Sequence, residues 1–77
     1  MPTAEDVKLV DHQAVGQRLK QLRKQTKATQ EDFARILGVG QSTVSDYEHG
    51  RLQLNLEHVA RLIREYKISF EWLSMGE

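Results

Sequence analysis

Gln41, Ser42, Ser45 and Asp46 place four short polar side chains on one side of a helix. A purely structural helix would more often carry Lys and Glu there. Short amides, hydroxyls and carboxylates can instead hydrogen-bond the edges of nucleobases: a Gln amide donates and accepts together, matching the N6 and N7 of adenine, and the Thr43 methyl suits thymine. Asp46 has two readings, a carboxylate accepting from a cytosine amino group or a bystander that repels nearby phosphates. For Gln41 and Ser42 the structural alternative is that they only cap the helix.

Positioning such a row requires a second helix held close behind it. Residues Thr29 to Glu48, TQEDFARILGVGQSTVSDYE, read as two short helices joined by a tight turn. Gly38 suits the left-handed backbone at the end of the first, and small Ala34 lies one turn earlier where the helices cross. Phe33, Leu37, Val39, Val44 and Tyr47 supply the inner, apolar side. Thr29 is the expected cap of the first helix, with Asp32 in the capping-box position. Around this pair the pattern predicts an all-α, five-helix domain over residues 14–77, preceded by a tail at 1–13 in which Val7, Leu9 and Val10 are apolar. Val15, Leu19, Leu22 and Arg23 form the inward stripe of the opening helix, with Arg18, Lys20 and Lys24 outward. Gly50 stops the third helix and Asn55 caps the fourth, whose expected stripe is Leu56, Val59, Ala60, Ile63 and Tyr66. A short last helix near Phe70 to Ser74 is expected to close the core through Phe70 and Leu73.

Seventy-seven residues with 39% hydrophobic content can bury one modest core, and with no cysteine it has neither a disulfide nor a thiolate metal site to staple it. Helix packing, helped by dimerisation, is left to hold it. Formal charge is zero, yet residues 15–55 carry seven Lys and Arg against four acids, a local +3, while 1–14 carry −2 and 56–77 carry −1. That asymmetry orients a domain on a polyanion while contributing only modestly to affinity. The opening MPTAEDVKLV lacks a signal-peptide layout and no apolar run approaches a membrane span, so a cytoplasmic, nucleoid-associated location is expected.

The segments VGQRLKQLRKQ from Val15, TQEDFARILGV from Thr29, GQSTVSDYEHGR from Gly40 and FEWLSMGE from Phe70 resemble the lambda-repressor-like helix-turn-helix family, also called Cro-like or XRE-like. The resemblance spans roughly Ala14 to Glu77. It implies a DNA-binding transcriptional regulator, typically a dimeric repressor reading an inverted repeat in double-stranded DNA through its third helix. Gln41 and Ser42 match the family positions that most often touch bases, with Thr43, Ser45 and Asp46 behind them. Gln30 and Thr29 at the start of the second helix, His49 and Arg51 after the third, and more weakly Lys27 and Gln53, match backbone-contacting positions; one charged residue alone would more simply be solvated surface. The resemblance further implies that Arg23 pairs with Glu48, tying the reading helix to the scaffold. Phe70, Trp72 and Met75 in the last helix fall where the family often dimerises; the alternative is that Trp72 caps its own subunit's core. Domains of this family often end near this point and continue into a second domain.

Enzymatic readings fail on spacing. His12, His49 and His58 fall in three elements without ligand spacing, Asp46 and His49 sit one turn apart on an exposed face, and Ser42 and Ser45 have no base nearby in sequence. No catalysis, metal or cofactor is expected. The rival class is a protein-interaction module of the same fold, such as an antitoxin that masks a toxin and binds DNA secondarily; neutral charge favours it and the polar Gln41 and Ser42 oppose it.

Overall fold

The computed structural model of the protein describes residues 11–77, and five helices account for its regular structure: α1 (His12–Gln25), α2 (Gln30–Leu37), α3 (Gln41–Glu48), α4 (Leu56–Tyr66) and α5 (Phe70–Met75). Helix α1 begins two residues before Ala14, because the Asp11 carboxylate accepts from the backbone N–H of Gln13 and Ala14. Val7, Leu9 and Val10 lie outside the described residues. At the other end of α1 the chain turns through Lys27, whose φ of +59° is left-handed, and the Ala28 N–H returns to the Arg23 carbonyl at 3.0 Å.

Local capping sets the next two elements. The Thr29 hydroxyl accepts from the Asp32 N–H, and the Asp32 carboxylate accepts from the Thr29 N–H at 2.8 Å, a reciprocal capping box. Hydrogen bonds from Thr29 to that carboxylate, its backbone N–H foremost and its hydroxyl next, hold the Asp32 carboxyl below the usual carboxylate range. Gly38 ends α2 at φ +71°, and Gly40 takes the cap position of α3 with no side-chain bond. Gln41 and Ser42 therefore lie inside the first turn of α3 rather than capping it.

The core is drawn from all five helices: Val15, Leu19 and Leu22; Phe33, Ala34 and Leu37; Val44 and Tyr47; Val59 and Leu62; and Leu73. Phe33 meets the Tyr66 ring at a centroid separation of 5.3 Å. Helices α1 and α3 cross closely. A Cβ on Gly16 would stand 2.2 Å from the Tyr47 carbonyl oxygen and 2.7 Å from that of Glu48. Any side chain at that position would force the two helices apart.

Several expected burial assignments are corrected. Leu62, absent from the expected α4 stripe, is fully buried, whereas Leu56 is 77% exposed and Ala60 is exposed. Val59, Leu62, Ile63 and Tyr66 form the true inward line, with Leu56 and Ala60 stacked one turn apart on its border. Phe70 is half exposed rather than closing the core, because it is the first residue of α5 after the Ser69 cap, and Leu73 one turn on fills the interior. Arg18, expected outward, reaches across to donate to the Leu73 carbonyl at 3.1 Å, satisfying an acceptor in the last turn of α5. Trp72 is half buried against the core.

Candidate DNA interface

Helix α3 packs on both α1 and α2 and buries Val44, Tyr47 and Glu48, which leaves one side of it outward. Gln41 and Ser42 are exposed there, while Thr43, Ser45 and Asp46 are half buried. The short turn Gly38 to Gly40 fixes α3 against α2, and Gly16 allows α1 to press on its C-terminal half.

A continuous polar chain runs from α1 to the tip of α3. Arg23 donates to both oxygens of Glu48, from Nε at 2.6 Å and from a terminal amino group at 3.1 Å, and its other amino group donates to the Ala28 carbonyl at 3.2 Å. The Glu48 side chain is 1% exposed and that of Arg23 14%. The hydrogen bond to Glu48 raises the affinity of Arg23 for its proton, against the opposing cost of burial. Gln30 Nε2 donates to Glu48 Oε1 at 3.2 Å, and Gln30 Oε1 accepts from Gln41 Nε2 at 3.3 Å. A carboxylate only accepts, so the Gln30 amide has one orientation available, with nitrogen inward and oxygen toward Gln41. Gln41 then presents its own Oε1 and a remaining N–H outward, the donor–acceptor pair that an adenine edge complements.

The other candidate residues are distributed less uniformly. The Thr29 hydroxyl is engaged in the capping box, and Lys27 is exposed in the turn before it. His49 caps α3: its Nδ1–H donates to the Ser45 carbonyl at 2.8 Å, leaving Nε2 outward. Arg51 Nε donates to Asp46 Oδ1 at 2.8 Å, so these two are a pair rather than two independent groups. Gln53 lines an apolar cavity with His12, Val15, Leu56 and Phe70 and is not brought to the α3 face. Sequence reasoning missed the link from Gln30 to Glu48, the close crossing at Gly16 and the contact between Tyr47 and His58. In the last, the Tyr47 hydroxyl and His58 Nδ1 share a hydrogen bond at 2.9 Å, and burial pushes the Tyr47 hydroxyl above its usual range. An isolated glycine inside the α1 pattern was the signal for the crossing; the other two had none.

A helix-turn-helix family model matches residues 19–73 of this chain. The protein belongs to the lambda-repressor-like helix-turn-helix family. Among solved structures of this kind, the chain is similar to the P22 c2 repressor in complex with a synthetic operator, at 26% identity and a TM-score of 0.76 over 84% of this chain and 98% of that one. It is also similar to the restriction-modification controller protein C.AhdI from Aeromonas hydrophila, at 30% identity and a TM-score of 0.69 over 87% and 97% of the two chains. Antitoxin PezA of Streptococcus pneumoniae is 32% identical over 56 residues, which are 73% of this chain and 35% of PezA. The chain thus spans about a third of that relative's length. Among the described residues no helix is long and apolar enough to cross a membrane.

Proposed function

We propose that this lambda-repressor-like protein is a sequence-specific DNA-binding transcriptional regulator that inserts α3 into the major groove, as a dimeric repressor on an inverted repeat. The observation that carries this reading is the chain Arg23, Glu48, Gln30, Gln41, which holds an amide at the tip of α3 with its free donor and acceptor outward. The likeness to a repressor bound to its operator supports it. Gln41 and Ser42 read bases, with Thr43 and Ser45 beside them. Thr29, Lys27, His49 and the N-terminal end of α2 address the phosphates, and the protein acts in the cytoplasm on the nucleoid as a binding protein, not a catalyst.

Two copies set the recognition helices about 34 Å apart on one face of the duplex. Phe70 and Met75 are exposed on α5, and Phe70 and Leu56 border a cavity of about 400 Å³ between α1, α4 and α5. That apolar rim, together with the outer part of Trp72, is the proposed dimer surface.

Selection of bound sequences from a random DNA pool tests the reading. A two-fold symmetric motif is the expected product. Gln41→Ala then costs about 1–3 kcal/mol on that motif and relaxes preference at one position. Gln30→Ala weakens binding broadly and blunts the same position, since Gln30 orients Gln41. Phe70→Glu gives a folded monomer in sedimentation that binds a half-site weakly. A chain that enriches no sequence, or a Gln41→Ala variant with unaltered preference, sinks the assignment. The second reading, an antitoxin whose main partner is a toxin, is favoured by the likeness to PezA and gains if DNA selection fails.

A further inference from the structure

Asp46 lies one turn after Ser42 on the outward side of α3, and a bare carboxylate there would repel the phosphates on either side of the groove. It is not bare. Gly50, at φ +72°, turns the chain back so that the Arg51 N–H donates to the Asp46 carbonyl at 2.9 Å, fixing the Arg51 backbone against the last turn of α3. Its side chain then runs along the helix to place Nε 2.8 Å from Asp46 Oδ1. Nε is the inner donor of the guanidinium. The two terminal amino groups have no partner among the described residues, and the Arg51 side chain is 58% exposed.

We propose that Asp46 and Arg51 act as one guanine-reading unit, with Asp46 as the positioning residue and Arg51 as the base reader; this rests on the DNA-reading function proposed above. A guanine presents O6 and N7 as two acceptors on its major-groove edge, and two parallel donors of a guanidinium match them. Binding the inner Nε to Asp46 fixes the plane of the fork while leaving that donor pair free. The pair is neutral as a whole, which removes the carboxylate's repulsion of phosphate. This assigns Arg51 to a base instead of the backbone, and relieves Asp46 of a cytosine contact.

The test is binding of the full chain to its selected DNA site, compared across Arg51→Lys, Arg51→Ala and Asp46→Asn, with circular dichroism confirming that each folds. The selected motif is expected to contain one guanine per half-site whose preference falls roughly fivefold to a hundredfold in Arg51→Lys, which keeps the charge and loses the fork. Binding to unrelated DNA and its salt dependence stay as they were in that variant. Asp46→Asn reduces preference at the same guanine by a smaller factor. Replacing that guanine with 7-deazaguanine, which lacks the N7 acceptor, weakens the unmutated chain and leaves Arg51→Ala unaffected. The proposal is overturned if Arg51→Lys keeps every preference while Arg51→Ala weakens all sequences alike, the pattern of a phosphate contact. It is equally overturned if Asp46→Asn shifts a cytosine preference with Arg51→Lys silent. An unmutated chain that selects no sequence removes the DNA-reading function itself, a failure distinct from both.

Discussion

Two arginine–carboxylate pairs flank the recognition helix, and they differ in almost everything except their chemistry. Arg23 and Glu48 join α1 to the inner side of α3 through two parallel bonds in a nearly dry setting, while Asp46 and Arg51 meet on the outer side through one bond in water. Burial decides what each can do. In the dry pair each of the three guanidinium nitrogens is engaged within the domain, so the pair sets geometry and is turned away from a ligand. The wet pair contributes little to folding and keeps donors available. One helix thereby gains an anchored face and a presenting face from the same two residue types.

The largest expected effect comes from breaking the buried pair. Arg23→Met strands the Glu48 carboxylate without its counter-ion and costs about 3–5 kcal/mol in denaturant unfolding, a large share of what a domain this size holds. Replacing both partners, Arg23→Met with Glu48→Met, recovers most of that loss because no charge remains buried. DNA affinity in the double variant stays well below that of the unmutated chain, since Gln30 and Gln41 have lost their support. A double variant that binds DNA normally denies the pair any positioning role. Next in size is the crossing that brings α1 against the same end of α3. Gly16→Ala destabilises by roughly 1–3 kcal/mol although alanine favours helices, while Gln17→Ala, on an exposed position of the same helix, stays near neutral in the same melts.

Smaller effects sharpen the contrast at exposed acids. The Asp32 carboxyl is held low by the Thr29 N–H and hydroxyl, so its contribution is present above the unfolded value near pH 4 and is lost as pH falls through the lowered folded value. Asp32→Asn is expected to melt lower at neutral pH and to lose less on acidification from about pH 5 to pH 2; parallel melting curves for the two proteins across that range would remove the capping box from the pH dependence. Least of all, Arg51→Met shifts unfolding free energy by under about 0.5 kcal/mol. A loss near that of Arg23→Met would show that the outer pair is a scaffold element too, and the distinction between the two faces would collapse.

Much of the fold was legible from neighbours in sequence. Thr29, Gly38, Gly50 and Asn55 mark element ends because capping and left-handed turns depend on residues within about four positions of one another. The row from Gln41 to Asp46 was legible for the same reason, as helical spacing puts it on one side. The pairing of Arg23 with Glu48 came from family resemblance, since nothing in spacing joins residues 25 positions apart.

What the sequence by itself determined is therefore the all-α class, the two-helix unit and the face of α3 that stays polar, because periodicity, caps and turn glycines are local properties of the chain. Only the tertiary structure decided that Leu62 and not Leu56 enters the core, that Arg18 closes α5, that Gln30 hands the support of Glu48 to Gln41, and that Asp46 holds Arg51. Where a helix begins relative to its neighbours and how closely two helices cross determine which border residues are covered and which side chains meet. Those distances belong to packing, and the close approach at Gly16 is where packing brings the ends of α3 and the side chains that fix them into reach.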